Sequence, residues 1–224
     1  CIFFQNSDNK CFFEKHKMLR PGTKTRILPG SGVDLNKHPV LSWPNDGKTH
    51  FLFAARVMKE KGIDIFLAVA RKFASEDVIF DVCGFCDDYK YREILNNDSS
   101  IVYHGEQKDM TPFYSMCSCF LYPSYYPEGM SNVLLEAAAS GRPVITTNRA
   151  GCRETVDNEI TGFLVPIKDE KSVVKATEKF LKMSDSERKE MGLRGSEKMK
   201  KEFDRQIVVK IYWEEICQFL NDKN

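Results

Sequence analysis

The sequence predicts an α/β fold built on a Rossmann-like, doubly wound and mostly parallel sheet. From His50 onward, short runs rich in β-branched and aromatic residues alternate with amphipathic stretches. Such alternation is typical of a parallel sheet that is covered by helices on both faces. With 224 residues, of which 42% are hydrophobic, the chain is long enough to bury a substantial core.

Six runs are predicted as strands, and nearly all of them precede helix signals. They are residues 51–55, 78–83, 101–103, 119–122, 144–147 and 163–165. Between the first two runs, apolar residues recur at helical spacing and predict one buried helix face. This face consists of Ile63, Phe66, Leu67, Ala70 and Phe73.

The two ends of the chain differ from this middle part. Proline, glycine and asparagine interrupt residues 21–22, 29–32 and 44–47, which indicates a linker or hinge before His50. After Asp169 the pattern is wholly helical, and the last predicted helix, 204–220, carries a mainly apolar stripe that needs a partner surface. The chain starts on Cys1 in what reads as the middle of a strand, without a signal peptide's charged start, so we expect a cut N-terminus.

Composition excludes several function classes. Lysine and arginine number 33 against 32 acidic residues, so no global field favours nucleic acid or an anionic membrane. No apolar run approaches the roughly 20 residues of a membrane-spanning helix, and membrane contact is therefore expected to be peripheral. The eight cysteines lie mostly in apolar contexts and predict a reduced, cytoplasmic protein. Cys83 and Cys86 have CxxC spacing, but no histidine lies near them in sequence, so no metal site is predicted.

The most informative segment, residues 125–143, follows a strand and opens a helix. Gly129 lets the backbone approach a ligand, Ser131 or Asn132 is a suitable N-cap, and Gly141 suits the left-handed position that ends a helix. In a doubly wound sheet, such a helix start lies at the strand ends where ligands bind. Its amide groups favour a phosphate.

Two carboxylates bracket this predicted anion site. Glu128 precedes the helix, and Glu136 lies about one turn inside it with a side chain that tilts toward the N-terminus. Because carboxylates repel phosphate, their targets are expected to be the hydroxyl groups of a sugar and a ribose. A sugar nucleotide offers both a phosphate for the amides and hydroxyl groups for the carboxylates. The alternative interpretation is that Glu128 is an ordinary loop acid and Glu136 an exposed helix acid.

Two cations follow the first predicted strand. Arg56 and Lys61 lie between this strand and its helix, at a strand's carboxyl end. Arginine can grip a phosphate through two donors, and lysine adds a mobile charge, so the pair could cradle a diphosphate. The alternative is that each is a solvated loop cation.

These motifs resemble those of the large retaining family-four glycosyltransferases of the GT-B fold. The resemblance rests on the Glu-x7-Glu pair and on the Ala-Arg-x4-Lys-Gly run, 55–62. Four further segments match in the expected order, namely 3–6, 30–35, 151–155 and 161–165. By this resemblance, residues 1–35 are a remnant of the acceptor domain with the interdomain linker. Residues 36–203 are the donor-binding domain, and residues 204–224 are a C-terminal helix that crosses back to the acceptor half.

The resemblance also implies a nucleotide-sugar site. Arg56 and Lys61 would bind the diphosphate and act with Glu128 as catalytic residues, and Glu136 would bind the ribose. The transferred sugar would be held by Glu128 and by the backbone of Gly129, Met130, Ser131 and Asn132. Main chain near the third strand would contact the base, at Val102, Tyr103, His104 and Gly105, with His104 expected as a wall residue rather than a general base.

The implied activity is transfer of a sugar from a nucleotide-diphosphate sugar to an acceptor hydroxyl with retention. No cofactor and no metal would be needed, since the cations and the helix dipole stabilise the leaving group. The acceptor, a sugar, a lipid-linked molecule or a polysaccharide, would bind the missing N-terminal domain, so this chain alone is expected to be inactive. We expect a cytoplasmic location, with peripheral contact at the inner face of the membrane. A sugar-nucleotide epimerase or hydrolase on the same fold, or a non-catalytic nucleotide-sugar-binding module, remain alternatives.

Overall fold

The structure, a computed structural model, describes residues 1–221. Its strands are Ile2–Phe4 (β1), Thr25–Ile27 (β2), Thr49–Ala54 (β3), Val78–Cys83 (β4), Val102–Gly105 (β5), Cys119–Tyr122 (β6), Val144–Thr147 (β7) and Gly162–Val165 (β8). Its α-helices are Ser7–Lys15 (α1), Ile63–Phe73 (α2), Tyr89–Asn97 (α3), Thr111–Met116 (α4), Asn132–Ala139 (α5), Glu170–Leu181 (α6), Asp185–Glu202 (α7) and Arg205–Asn221 (α8).

The last six strands form one parallel sheet in the order β5-β4-β3-β6-β7-β8. The predicted α/β fold is thus confirmed, and each of the six predicted runs is a strand. The run at 101–103 was placed too early, because β5 pairs with β4 from Val102 to Gly105 while the amide of Ile101 closes a turn on Asp98. The strand order reverses between β3 and β6, which creates a crevice outside their carboxyl ends.

Aromatic side chains fill the space between this sheet and its helices. The rings of Phe51 and Phe80 stack with centroids 5.0 Å apart, and the ring of Phe66 meets Phe80 edge-on at 5.6 Å. The predicted apolar face of α2 is buried at Ile63, Phe66, Leu67 and Ala70. Aromatic pairs of this kind contribute about 0.5–1.5 kcal/mol each beyond their buried area. The sheet is therefore a rigid platform for the loops at its edge.

A second, two-stranded sheet lies at the N-terminus. β1 and β2 pair in parallel from Ile2 with Thr25 to Phe4 with Ile27, and α1 connects them. Asn6 caps α1, because its side-chain oxygen accepts a hydrogen bond from the amide of Asn9 at 2.8 Å. The predicted strand at β1 is confirmed, whereas residues 25–27, which lie in the segment interpreted as a linker, form a strand by pairing with β1.

The linker after β2 is packed against the main body. Glycines allow this approach, because a Cβ atom at Gly30 would lie 2.5 Å from Cβ of Met130, and one at Gly32 would lie 2.6 Å from Cα of Arg205. Val33 exchanges backbone hydrogen bonds with Phe203 and Arg205 at 2.8 and 3.0 Å. The linker and the start of α8 therefore cross at one point.

The predicted last helix is confirmed as α8, which runs from this crossing to the small sheet. Glu215 forms ion pairs with Lys24 at 2.8 Å and with Arg26 at 3.0 Å, and the ring of Tyr212 lies 4.6 Å from that of Phe3. The last three residues of the predicted 204–224 segment lie outside the described residues. Across residues 1–221, the structure contains no helix with the length and apolarity needed to cross a membrane.

Candidate functional site

The candidate site lies in the crevice between the carboxyl ends of β3 and β6. The chain leaves β3 through a short 3₁₀ turn, Lys59–Lys61, that ends at Gly62 in the left-handed conformation. A Cβ atom at Gly62 would lie 2.4 Å from the carbonyl oxygen of Pro123, so only glycine permits this contact. The amides of Tyr125 and Tyr126 also donate to the carbonyl of Glu60 at 2.9 Å. These contacts hold the turn after β3 against the loop after β6.

Lys61 and Glu128 meet across this contact. The ammonium group of Lys61 forms an ion pair with Oε1 of Glu128, and the two side chains are only 13% and 15% exposed. The hydroxyl of Tyr122, the last residue of β6, donates to the same oxygen at 3.0 Å. Lys61 Nζ also lies 4.4 Å from the ring centroid of Tyr126, which is within cation–π range. Two residues predicted separately thus form one half-buried charged pair.

Tyr122 and Tyr126 are site residues that sequence reasoning missed. Burial and then the charge of Glu128 raise the pKa of Tyr122 well above its ordinary value, so its hydroxyl stays protonated and acts as a donor. The sequence does contain one signal for Tyr122, which lies at the end of the predicted strand 119–122. Ligands bind at the carboxyl ends of parallel strands.

Helix α5 begins beside this pair. Ser131 occupies the N-cap position, but its side chain makes no capping bond, and its carbonyl accepts the amides of Leu134 and Leu135. The amides of Asn132 and Val133 have no acceptor among residues 1–221 and lie at the positive end of the helix dipole. Asn132 is exposed, and its side-chain oxygen accepts the hydroxyl of Ser31 at 2.9 Å. Gly141 ends the helix at φ +77°, as the sequence predicted.

Glu136 lies one turn further along α5, where its contact is with Tyr114 rather than with Glu128. The hydroxyl of Tyr114 donates to Oε2 of Glu136 at 3.0 Å. Burial and the charge of Glu136 raise the pKa of Tyr114, which keeps this hydroxyl a donor. Tyr114 was not predicted as a site residue, because its contact with Glu136 joins separate helices.

Arg56 is exposed and lines a neighbouring cavity of about 380 Å³. This cavity is formed by the ends of β3 and β4 with the residues that follow them, by the loop after β5 and by the first turn of α5. Its lining residues are Ala54, Ala55, Arg56, Cys83, Gly84, Phe85, Glu106, Gln107, Met110 and Val133. The guanidinium group of Arg56 makes no hydrogen bond or ion pair with the described residues, so it is free to meet a ligand.

The four residues predicted to contact the base are distributed along β5. Val102 begins the strand, is 46% exposed and lines a different cavity with Arg71 and Ser100. Tyr103 donates its hydroxyl to the carbonyl of Gly84 at 2.9 Å. Gly105, at φ +70°, ends the strand next to the cavity-lining loop. The carboxyl end of β5, at Gly105, is therefore closer to the cavity of Arg56 than the start of the strand at Val102.

His104 belongs to an array of two acids and two histidines in which only His50 and Asp81 are buried. Its Nε2 lies 2.7 Å from Oδ1 of Asp81, whose Oδ2 lies 2.8 Å from Nδ1 of His50. Nε2 of His50 in turn lies 3.0 Å from Oδ2 of Asp46 in the linker. Burial lowers the pKa of His50, but hydrogen bonds and charges from Asp81 and Asp46 outweigh it, so the net pKa is raised. The array fixes the ring of His104, which is not among the residues that line the cavity of Arg56.

This raised pKa predicts how stability depends on pH. Folded His50 keeps its proton above the ordinary histidine pKa of about 6.5, so its stabilising effect is complete below that pH and is lost as pH rises through the raised value. We expect the free energy of unfolding of the wild type to fall more steeply above about pH 6.5 than that of His50→Asn. Urea unfolding across this pH range measures both slopes. His16→Asn, at an exposed histidine, is the matched control, and equal slopes for the wild type and His50→Asn would contradict this account.

The CxxC pair does not present reactive thiols. Cys83 and Cys86 are buried, and burial raises the pKa of both, that of Cys83 to about 12. Among residues 1–221, no group of three or more His, Cys, Asp or Glu side chains is arranged to hold a metal ion.

The six-stranded parallel sheet and its loops have the architecture of a GT-B glycosyltransferase. The family model described as Glycosyl transferases group 1 matches residues 48–183, and the chain belongs to this family. It is 28% identical over 222 residues to the capsular polysaccharide biosynthesis glycosyltransferase CapM of Staphylococcus aureus, covering 97% of this chain and 51% of that protein. The chain therefore spans about half the length of this curated relative.

Solved structures share the fold at lower identity. A glycosyltransferase from Rickettsia africae superposes with a TM-score of 0.86 at 17% identity, covering 97% of this chain and 63% of that one. Anabaena HepE, solved with UDP and glucose, superposes with a TM-score of 0.80 at 17% identity, covering 96% of this chain and 62% of that one.

Proposed function

We propose that this chain is the donor-binding half of a retaining glycosyltransferase that uses a nucleotide-diphosphate sugar. The observation that carries the proposal is the half-buried Lys61–Glu128 pair at the sheet's switch point, beside the start of α5. A cation and a carboxylate side by side at such a switch point suit a ligand with both phosphates and hydroxyls. The HepE structure with UDP and glucose supports this ligand class.

The diphosphate is assigned to the positive groups around the crevice. Lys61 supplies an ammonium group, Arg56 supplies a guanidinium group without a partner among residues 1–221, and the amides of Asn132 and Val133 supply the positive end of the helix dipole. Together they would stabilise the charge that develops on the leaving nucleoside diphosphate. This arrangement needs no metal ion, and we propose a metal-independent reaction.

The hydroxyl groups of the donor are assigned to the two carboxylates. Glu128, with the backbone of residues 129–132, holds the transferred sugar, and Glu136 binds the ribose. Tyr122 and Tyr114 each donate to one of these carboxylates and leave further lone pairs for ligand hydroxyls. The base is assigned to main chain at the end of 102–105, beside the cavity lined by Glu106 and Gln107.

In the proposed reaction, the bond between the anomeric carbon and the β-phosphate oxygen breaks, and the nucleoside diphosphate leaves with the bonding electrons. The acceptor oxygen forms the new bond to the anomeric carbon on the same face and loses its proton. The acceptor is proposed to be a saccharide, a lipid-linked molecule or a polysaccharide bound by a domain outside this chain, so that the chain alone binds the donor without transferring it. The name of CapM supports a polysaccharide acceptor. We propose a cytoplasmic location, with peripheral contact at the inner face of the membrane.

The proposal is tested by a binding screen of the chain against nucleoside diphosphates and their sugar conjugates. A ligand that binds only the folded state raises Tm, so one base is expected to stand out, with and without EDTA. Nucleosides without phosphate are the control. If no nucleoside diphosphate raises Tm at millimolar concentration, the proposed function is wrong, and a strict magnesium or manganese requirement would overturn the metal-independent mechanism.

A prediction follows for the ribose contact of Glu136. Removing the ligand's 2′-hydroxyl is expected to weaken binding to the wild type by about 1–3 kcal/mol, or roughly tenfold to a hundredfold, because a carboxylate loses its partner. Glu136→Ala is expected to lose this discrimination. Calorimetric titration of ribo- and 2′-deoxyribonucleoside diphosphates into both proteins gives the coupling energy. A coupling near zero with a folded variant would return Glu136 to a structural role.

A further inference from the structure

The N-terminal segment reaches into the site at the loop assigned to the sugar. Asn6, which is only 2% exposed, donates its side-chain amide to the carbonyl oxygen of Gly129 at 2.7 Å and to that of Glu128 at 3.3 Å. Its side-chain oxygen is already used as the cap of α1. Both ends of this side chain are therefore committed, and its position is fixed from two directions.

These two bonds determine where the loop's own amides point. In a planar trans peptide, the N–H of one residue points away from the carbonyl of the residue before it. Holding the carbonyls of Glu128 and Gly129 toward Asn6 therefore aims the N–H groups of Gly129 and Met130 away from it. Among the hydrogen bonds within residues 1–221, neither of these N–H groups has an acceptor.

Two further contacts restrict the movement of the loop that contains Glu128 and Gly129. Gln5 lies over Gly129 so closely that a Cβ atom there would be 2.1 Å from the side-chain oxygen of Gln5. On another side, Gly151 packs against Glu128, because a Cβ atom added to Gly151 would lie 2.7 Å from Cβ of Glu128. Gly151 is therefore required by protein packing, since a Cβ atom there would also lie 2.9 Å from the carbonyl oxygen of Glu128, whereas a side chain at position 129 would displace only the flexible end of Gln5.

Helix α1 is tied to the same region by a second contact. Asp8 forms an ion pair with Arg153, in the turn after β7, and neighbouring Glu154 accepts the amide of Gly151 at 2.8 Å. The carbonyl of Gly151 accepts the amide of Ser131 at 2.9 Å. The start of α1 is therefore linked to both sides of the 128–131 loop.

We propose that Asn6 is a positioning residue for the donor sugar, because its amide orients the 128–130 backbone so that the Gly129 and Met130 amides and the Glu128 carboxylate face the sugar together. The inference rests on the proposed function and adds a residue from the segment assigned to the acceptor half. Asn6 lies 123 positions before Gly129 in sequence, so the contact joins the two proposed units at the sugar. Asn6 therefore affects the binding of the sugar and does not change the proposed contacts of Lys61 and Arg56 with the diphosphate.

The test compares Asn6→Asp and Asn6→Ser with the wild type. Aspartate and serine both keep an oxygen that can cap α1, and neither can donate to two carbonyls as the amide does. Asn9→Asp makes the same chemical change on the exposed face of α1 and is the matched control. Calorimetric titration measures the affinity of each protein for the selected nucleoside diphosphate and for its sugar conjugate.

We expect both Asn6 variants to bind the sugar conjugate about tenfold more weakly, with nearly unchanged affinity for the nucleoside diphosphate. Asn9→Asp is expected to match the wild type. Unchanged affinity for both ligands, or an equal loss for both, would overturn the positioning role, the second result by showing general structural damage. A wild type that binds both ligands equally would overturn the sugar contact and the inference with it, while leaving the nucleotide site intact. A wild type that binds neither ligand would instead refute the donor site itself.

Discussion

Lys61→Ala is expected to weaken binding of the selected nucleoside diphosphate by about 1.5–3 kcal/mol, the range for hydrogen bonds to charged groups. The affinity for the nucleoside without phosphates should barely change, because Lys61 is assigned to the diphosphate alone. Calorimetric titration of both ligands measures the difference. The effect is large because the side chain of Lys61 is only 13% exposed, so its charge acts in a poorly hydrated crevice where electrostatic interactions are stronger than in water.

Lys59→Ala is the matched control, since Lys59 is an exposed lysine of the same 3₁₀ turn. It should bind like the wild type. Arg56→Ala is expected to give a loss of the same order as Lys61→Ala. If Lys61→Ala and Arg56→Ala both bind the diphosphate like the wild type, the diphosphate lies elsewhere.

Glu128→Gln is expected to separate the sugar from the diphosphate. Glutamine keeps the shape of the side chain and an acceptor for Tyr122, but it removes the charge that pairs with Lys61. The sugar conjugate should lose about 1.5–3 kcal/mol of binding free energy, because a charged acceptor for its hydroxyls is gone. The nucleoside diphosphate should bind at least as well as before, since Lys61 is released from its carboxylate.

A weaker affinity for the sugar conjugate, together with an unchanged or stronger affinity for the nucleoside diphosphate, would identify Glu128 as a sugar contact. Glu60→Gln, an exposed acid one position before Lys61, controls for the general loss of a negative charge near the phosphates. Affinities for both ligands, measured by calorimetry on folded variants, decide the outcome. A Glu128→Gln variant that binds both ligands more weakly by the same factor would show that Glu128 supports the crevice rather than the sugar.

The main sheet could be predicted because its signals are local. Residues 78–83 and 119–122 are short apolar runs, and the face of α2 repeats at helical spacing, so burial of Phe66 and Phe120 follows from the pattern alone. Strand β2 was missed because Thr25–Ile27 is three residues long and is recognisable only through its pairing with β1. Short strands between turn residues carry little signal of their own.

The candidate site was predictable as a set of residues but not as a set of contacts. Arg56, Lys61 and Glu128 follow strand ends, which the sequence locates. That Lys61 and Glu128 form an ion pair depends on the approach of Gly62 to Pro123, which is a tertiary contact. The same holds for Tyr114 with Glu136 and for Asn6, because each joins parts of the chain that no local pattern connects.

The central claim is that the crevice between β3 and β6 binds the donor, and a crystal structure of the chain with its selected nucleotide-diphosphate sugar tests it most directly. The account predicts diphosphate oxygens within about 3.2 Å of the Lys61 ammonium group and of the first amides of α5, with ribose hydroxyls at Glu136. It also predicts sugar hydroxyls at Glu128 and at the amides that follow it. A nucleotide bound outside this crevice, or bound in it with its phosphates turned away from Lys61 and α5, would contradict the account.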